Sequence, residues 1–158
     1  MRIREATPAD LEALWSMLES VFREGDTYAI DPDISREDAL TYWTAHHAYV
    51  AELDGVPVGT FYIRPNQQGG GGHICNCGYI TARSAEGKGV ARAMLAFSLD
   101  EAKRLGFEAM QYNFVLANNT RAIDTWARAG FKQIGRIPRA FKLPDGCYTD
   151  ALILYRFL

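Results

Sequence analysis

The chain has 158 residues and a mass of 17.7 kDa, enough for one compact domain over 1–158 that buries roughly 70% of the surface its unfolded form exposes. A hydrophobic fraction of 48% with 23% charged residues is that of an ordinary globule, and no apolar run approaches the ~20 residues that span a bilayer, which argues against a membrane protein. A net charge of −2 leaves no footprint for nucleic acid, three cysteines suit a reducing compartment, and no signal-like segment is seen, so the cytoplasm is the expected location and a small molecule the expected partner.

Arg2 to Ala6 alternates like a strand, and Thr7-Pro8-Ala9-Asp10 supplies a cap, a first-turn proline and an acid for a helix whose stripe is Leu11, Leu14, Trp15, Leu18, Val21 and Phe22, ending near Gly25. Ser35-Arg36-Glu37-Asp38 caps a second, shorter helix ending near His46. Ala48 to Leu53 and Val56 to Arg64 are strands joined by Asp54-Gly55, a two-residue hairpin turn. Pro65 to Gly72, with four consecutive glycines, reads as a connection. Ile74 to Thr81 is a strand, Val90 to Leu105 a helix stopped by Gly106, and Phe107 to Val115 a strand. Asn119 opens a helix to Ala129, and strands over Phe131 to Ile137 and Cys147 to Phe157 close the chain. The order βααβββαβαββ predicts an α/β fold around one mixed sheet.

Chemistry concentrates at the turn Glu86-Gly87-Lys88-Gly89-Val90-Ala91, between a strand and a helix. A helix N-terminus offers unpaired N–H groups and partial positive charge to a pyrophosphate, and Lys88 or Arg83 could add charge. A P-loop is excluded, because Gly89 follows Lys88 and Ala82 stands five positions before Gly87. A dinucleotide fingerprint fits poorly, because Arg92 occupies the position of its last small residue.

The turn resembles the Arg/Gln-x-x-Gly-x-Gly/Ala fingerprint of the GCN5-related N-acetyltransferase (GNAT) superfamily, with Glu86 in place of Arg or Gln. A second element, Asn119-Thr120-Arg121-Ala122 followed by Trp126 and Gly130-Phe131, is similar to the family's Asn-x-x-Ala, aromatic, Gly-Phe pattern. The resemblance implies acetyl-CoA as cosubstrate, without a metal, and two splayed central strands, here Ile74 to Thr81 and Phe107 to Val115. The pantetheine arm would insert between them against the backbone of Tyr79, Ile80 and Thr81, with the pyrophosphate on Glu86, Gly87, Lys88, Gly89, Val90 and Ala91.

Gly25-Asp26-Thr27-Tyr28, Tyr62-Ile63-Arg64-Pro65-Asn66-Gln67, Asn76-x-Gly78-Tyr79, Met110 to Val115 and Tyr148-Thr149-Asp150-Ala151 resemble the fungal acetyltransferases that act on proline analogues such as azetidine-2-carboxylate. That resemblance implies reaction-centre roles for Asn76 and Asn113 and a CoA contact for Asn119. It also implies a small amine as acceptor; a homodimer is an open option. Trp126 stands where many members carry an acidic tyrosine, and an indole cannot serve as that acid. His73, Glu24 and Asp26 are candidate bases, His73 foremost as a catalytic residue, and Arg64 or Arg139 could meet an acceptor carboxylate. His73-x-Cys75-x-Cys77 is no zinc site, since its outer members lie roughly 13 Å apart on a strand. A non-catalytic acyl-CoA-binding module and thioester hydrolysis by Cys75 or Cys77 remain as alternatives.

Overall fold

The computed structural model describes all 158 residues and follows the expected element order. The strands are β1 (Arg2–Glu5), β2 (His47–Leu53), β3 (Val56–Pro65), β4 (Ile74–Thr81), β5 (Ala109–Leu116), β6 (Lys132–Lys142) and β7 (Tyr148–Phe157). The helices are α1 (Leu11–Glu24), α2 (Arg36–Thr44), α3 (Val90–Arg104) and α4 (Thr120–Arg128). One seven-stranded sheet results, in the order β1-β2-β3-β4-β5-β7-β6. Only β4 and β5 run parallel.

Local chemistry sets most element ends. The Asp10 carboxylate accepts from the Thr7 N–H at 2.7 Å and ends a single 3-10 turn that leads into α1. Gly25, left-handed at φ 65°, ends that helix. Ser35 Oγ accepts from the Asp38 N–H at 3.0 Å to cap α2. Asp54 and Gly55 both have positive φ, at 50° and 79°, as the two-residue hairpin between β2 and β3 demands. β6 continues to Lys142 rather than ending at Ile137. Pro138 and Arg139 sit in an irregularity of this edge strand, where a missing N–H is harmless, and the Arg139 N–H bonds the Asp150 carboxylate at 2.7 Å.

The sheet separates two apolar layers. α1 and α2 bury Leu14, Leu18, Phe22 and Trp43 against Val50, Tyr62 and Ile80. On the other face α3 buries Val90, Met94 and Leu95 against Tyr49, Phe61, Cys75, Cys77 and Met110, with Trp126 of α4 at the margin. α3 lies close on β3 because position 59 has no side chain: a Cβ on Gly59 would stand 2.8 Å from Val90 Cγ1. The buried Thr60 hydroxyl accepts from Trp43 Nε1 at 2.9 Å and donates to the Tyr49 carbonyl at 2.8 Å, so this polar group is satisfied within the core. No helix is long and apolar enough to cross a membrane.

Candidate active site

β4 and β5 pair in register only at Ile74 with Ala109 and Cys75 with Met110, with the Glu108 N–H on the His73 carbonyl at 2.9 Å beside them. β4 keeps its pairing with β3 from Cys75 to Thr81. Past Cys75, therefore, β4 and β5 part, and the parting has a definite backbone chemistry. Residues of an antiparallel strand turn their N–H and C=O groups to alternate sides. The bonds from the Asn66 N–H to the Ile74 carbonyl and from the Ala82 N–H to the Val58 carbonyl, both 2.8 Å, assign the even-numbered residues of β4 to β3. Cys77, Tyr79 and Thr81 turn theirs toward the gap. Ile80, expected from the sequence to share in cofactor binding, faces β3 with its backbone and packs its side chain among α1 and α2.

The gap opens into a cleft of about 340 Å³ lined by β4 from Asn76 to Tyr79 and by Thr81, by β5 from Tyr112 to Leu116, by Thr27 to Ile30, and by Ala91, Asn119 and Trp126. β5 shapes it through an irregularity: its pairing with β7 jumps from Tyr112 to Val115, which re-aims Asn113 and Phe114. No Asp, Glu, His, Lys or Arg is among the lining residues. The polar groups are amides, hydroxyls, one thiol and the Trp126 indole N–H.

The glycine turn adjoins the cleft through Ala91. Gly87 and Gly89 have φ of 76° and 78°, and a Cβ on either would meet nothing within 4 Å. Glycine is thus required by the backbone conformation rather than by crowding. The first backbone bond of α3 runs from the Ala93 N–H to the Gly89 carbonyl, which leaves the N–H groups of Val90, Ala91 and Arg92 without a partner. Glu86 and Lys88 are exposed. Arg83 and Glu24, considered from the sequence as phosphate cation and base, form an exposed ion pair with each other, and neither lines the cleft.

Asn76 is the hub of an amide cluster at the throat of the gap. Its Nδ2 donates to the Gln111 carbonyl at 2.9 Å, and its Oδ1 accepts from the Tyr62 hydroxyl at 3.2 Å. One side chain thereby ties β3, β4 and β5 together where β4 and β5 part, and still offers one donor and one acceptor. Asn113 donates to Asn66 Oδ1 at 2.6 Å and accepts from Gln111 Nε2 at 3.0 Å. Asn119 both caps α4, accepting from the Ala122 N–H at 3.2 Å, and lines the cleft. His73 is exposed, sits at the zipped end of β4 and is not brought into the cleft. Arg139 stacks over Tyr148 at 4.5 Å, and neither lines the cleft.

Burial pushes the Tyr28 and Tyr62 hydroxyls upward, so both are neutral donors at physiological pH, Tyr28 to the Tyr79 carbonyl at 2.9 Å. Tyr79 and Tyr112 are raised by burial as well, and their hydroxyls meet at 3.1 Å on the α3 face, where Tyr79 also bonds Ser98 at 2.7 Å. Burial likewise raises the Cys77 thiol far above its usual value, which keeps it protonated and unfit as a nucleophile. Trp126 lies 5.3 Å from the Tyr79 ring and 5.0 Å from the Tyr112 ring, a packed residue that is also a wall of the cleft.

Sequence reasoning singled out Asn76 and Asn113 because strand interiors disfavour asparagine. It assigned no role to Tyr28, Tyr62, Asn66 or Gln111. Their partners are distant in the chain, and the only available signal was their position inside motifs already noted around Gly25, Arg64 and Met110.

Residues 11–131 match the model of the Acetyltransferase (GNAT) family. A GCN5-related N-acetyltransferase from Kribbella flavida superposes with a TM-score of 0.94 at 33% identity, over 99% of this chain and 97% of that one. The N-acetyltransferase aca1 of Schizosaccharomyces pombe is 32% identical over 149 residues, covering 82% of this chain and 71% of the yeast protein. The fold is shared by yncA of Salmonella typhimurium, solved with its cofactor acetyl-CoA, with a TM-score of 0.88 at 21% identity over 100% of this chain and 94% of that one. With the family pattern spread over most of its length and its central strands parted at the motif positions, the chain belongs to the GNAT family of acetyltransferases.

Proposed function

We propose that this protein transfers the acetyl group of acetyl-CoA to the amine of a small molecule, a proline-like or other amino acid analogue. The observation that carries the reading is the gap between β4 and β5, where Cys77, Tyr79 and Thr81 turn backbone groups that no strand pairs toward a cleft that ends at the open N-terminus of α3. An extended pantetheine arm matches that edge as a missing strand would, and its pyrophosphate matches the free N–H groups of Val90, Ala91 and Arg92. Glu86, Gly87, Lys88 and Gly89 hold the turn; no side-chain cation is needed.

In the transfer step the lone pair of the neutral amine attacks the thioester carbonyl carbon, and a C–N bond forms. The tetrahedral oxyanion is stabilised by the Tyr79 N–H, whose neighbouring carbonyl is already capped by Tyr28. The C–S bond then breaks and CoA leaves as a thiolate, a fair leaving group because its thiol pKa is about 8.5. The amine proton passes to water, since no carboxylate or imidazole lines the cleft. Asn76 and Asn113 orient the acceptor, Asn119 faces the CoA arm, and His73 has no step. We further assign the protein to the cytoplasm, where Cys75, Cys77 and Cys147 stay free thiols.

Thiol release from acetyl-CoA with a panel of cyclic amino acids, aminoglycosides and peptide N-termini tests the reading. Release is expected with the amino acids. CoA binding by calorimetry with no acceptor-dependent release would reduce the protein to a cofactor-binding module.

A further inference from the structure

Ser98 is fully buried on α3, one turn from the core residues Leu95 and Ala102. A hydroxyl withdrawn from water is costly unless bonded, and the bonds of this one run in a fixed direction. Its single proton goes to the Leu95 carbonyl at 2.9 Å, within the helix. Toward Tyr79, at 2.7 Å, it can therefore only accept. Met110 Sδ, at 3.7 Å from the same phenol, is the lesser partner, because a thioether is a weak acceptor. With its own proton spent on Ser98, the Tyr79 hydroxyl accepts in turn from Tyr112 at 3.1 Å. The donors thus run from Tyr112 to Tyr79 to Ser98 and end on the backbone of α3.

Tyr79 is held on every side but one. Its neighbours Gly78 and Ile80 pair with Tyr62 and Thr60 of β3, its carbonyl accepts from Tyr28 at 2.9 Å, and its phenol is fixed to α3 through Ser98. The N–H that faces the gap is what these contacts leave over. α3 also carries the open N–H groups of its first turn, about 12 Å along the axis from Ser98 at about 1.5 Å per residue. One helix therefore holds the proposed pyrophosphate end of the site directly and the proposed thioester end through a single hydroxyl.

We propose that Ser98 is a positioning residue for the transfer step: by accepting from the Tyr79 hydroxyl it fixes where the Tyr79 N–H stands relative to the first turn of α3, and so keeps that donor on the developing oxyanion of an acetyl-CoA anchored there. This rests on the acetyl-transfer reading and adds to it a residue that touches neither substrate.

Ser98→Ala and Tyr79→Phe each delete one side of the contact, and the double variant deletes both. Each single variant is expected to lower kcat by about 10-fold, a displacement of a few tenths of an ångström where one of about 1 Å costs roughly 100-fold. Calorimetric Kd for CoA and KM for the amine should stay at their wild-type values. The double variant should lose no more than either single one, since all three break the same bond. A role in stability alone predicts a lower melting temperature with kcat per folded molecule unchanged, and that result overturns the proposed role. Losses that multiply in the double variant, or that appear in Kd for CoA instead of kcat, overturn it as well. If Ser98→Ala does not fold, Tyr79→Phe decides by the same split of kcat against Kd. If the wild type acetylates no amine, the transfer reading fails by itself, and the role of Ser98 is decided by the amide resonance of Tyr79 in a titration with acetyl-CoA. A shift that Ser98→Ala abolishes upholds it, and a shift that is absent or unchanged overturns it.

Discussion

A Cβ at position 78 would stand 2.7 Å from the Tyr62 ring, its cross-strand neighbour. Gly78 is therefore the residue that lets the Tyr62 ring lie over β4 and deliver its hydroxyl to Asn76, and Asn76-x-Gly78 is one device rather than two coincidences. Gly78→Ala is expected to lower kcat by about 10- to 100-fold, the effect of a reactant displaced by roughly 1 Å, with the fold retained by circular dichroism. Normal turnover in that variant would remove the Tyr62 contact from the mechanism. Asn76→Ala should lower kcat while calorimetric CoA affinity stays near the wild-type value, because CoA is proposed to bind through backbone elsewhere. The uncharged lining has a consequence for pH. With no carboxylate or imidazole in the cleft lining, kcat/KM should rise with pH and level off near the pKa of the acceptor amine. Two acceptors of different amine pKa should show correspondingly displaced profiles, whereas a plateau common to both would point to a titrating protein group.

At the level of elements, β1 is fastened to the entry of α1 by Arg4, which meets Asp10 at 2.8 Å and Glu52 at 2.5 Å with both carboxylates largely buried. The hydrogen bond from Arg4 holds the Asp10 carboxyl well below the usual carboxylate range. A group whose folded pKa is depressed adds stability above its unfolded pKa of about 3.9 and loses it as the pH falls toward the folded value. Thermal stability should therefore decline below about pH 4, and Asp10→Asn should cost about 2 kcal/mol at neutral pH while flattening that decline in a scan of melting temperature against pH. The elements themselves were largely legible in the sequence. Pro8, Ser35, Asp54-Gly55, Gly106 and Gly130 are local signals that act within a few residues, and the structure places breaks at each. The extent of β6 was not legible, because Pro138 and Arg139 interrupt the alternation while the bond to Asp150 comes from another strand. The face that the Ile80 backbone presents was hidden for a similar reason. The sequence locates a strand, but only the β3 register decides which of its residues look into the gap.

Across the whole molecule, a sheet of seven strands is joined at its centre by two register pairs. The halves are otherwise connected by α3, by Asn76 and by the aromatic packing around Tyr79, Tyr112 and Trp126. Amides of Cys77, Tyr79 and Thr81 should exchange with deuterium much faster than those of Gly78 and Ile80, which face β3, and saturating acetyl-CoA should slow the first set selectively. Uniform exchange along β4 would contradict the alternation of its backbone groups. A native state with one strand's width left vacant is also, in effect, a complex lacking one of its parts. The cosubstrate proposed to occupy that vacancy binds the folded chain and not the unfolded one, so stability rises as RT ln(1 + [L]/Kd). Resistance to proteases would then follow the supply of acetyl-CoA, and the abundance of the enzyme would report the metabolic state of its cell.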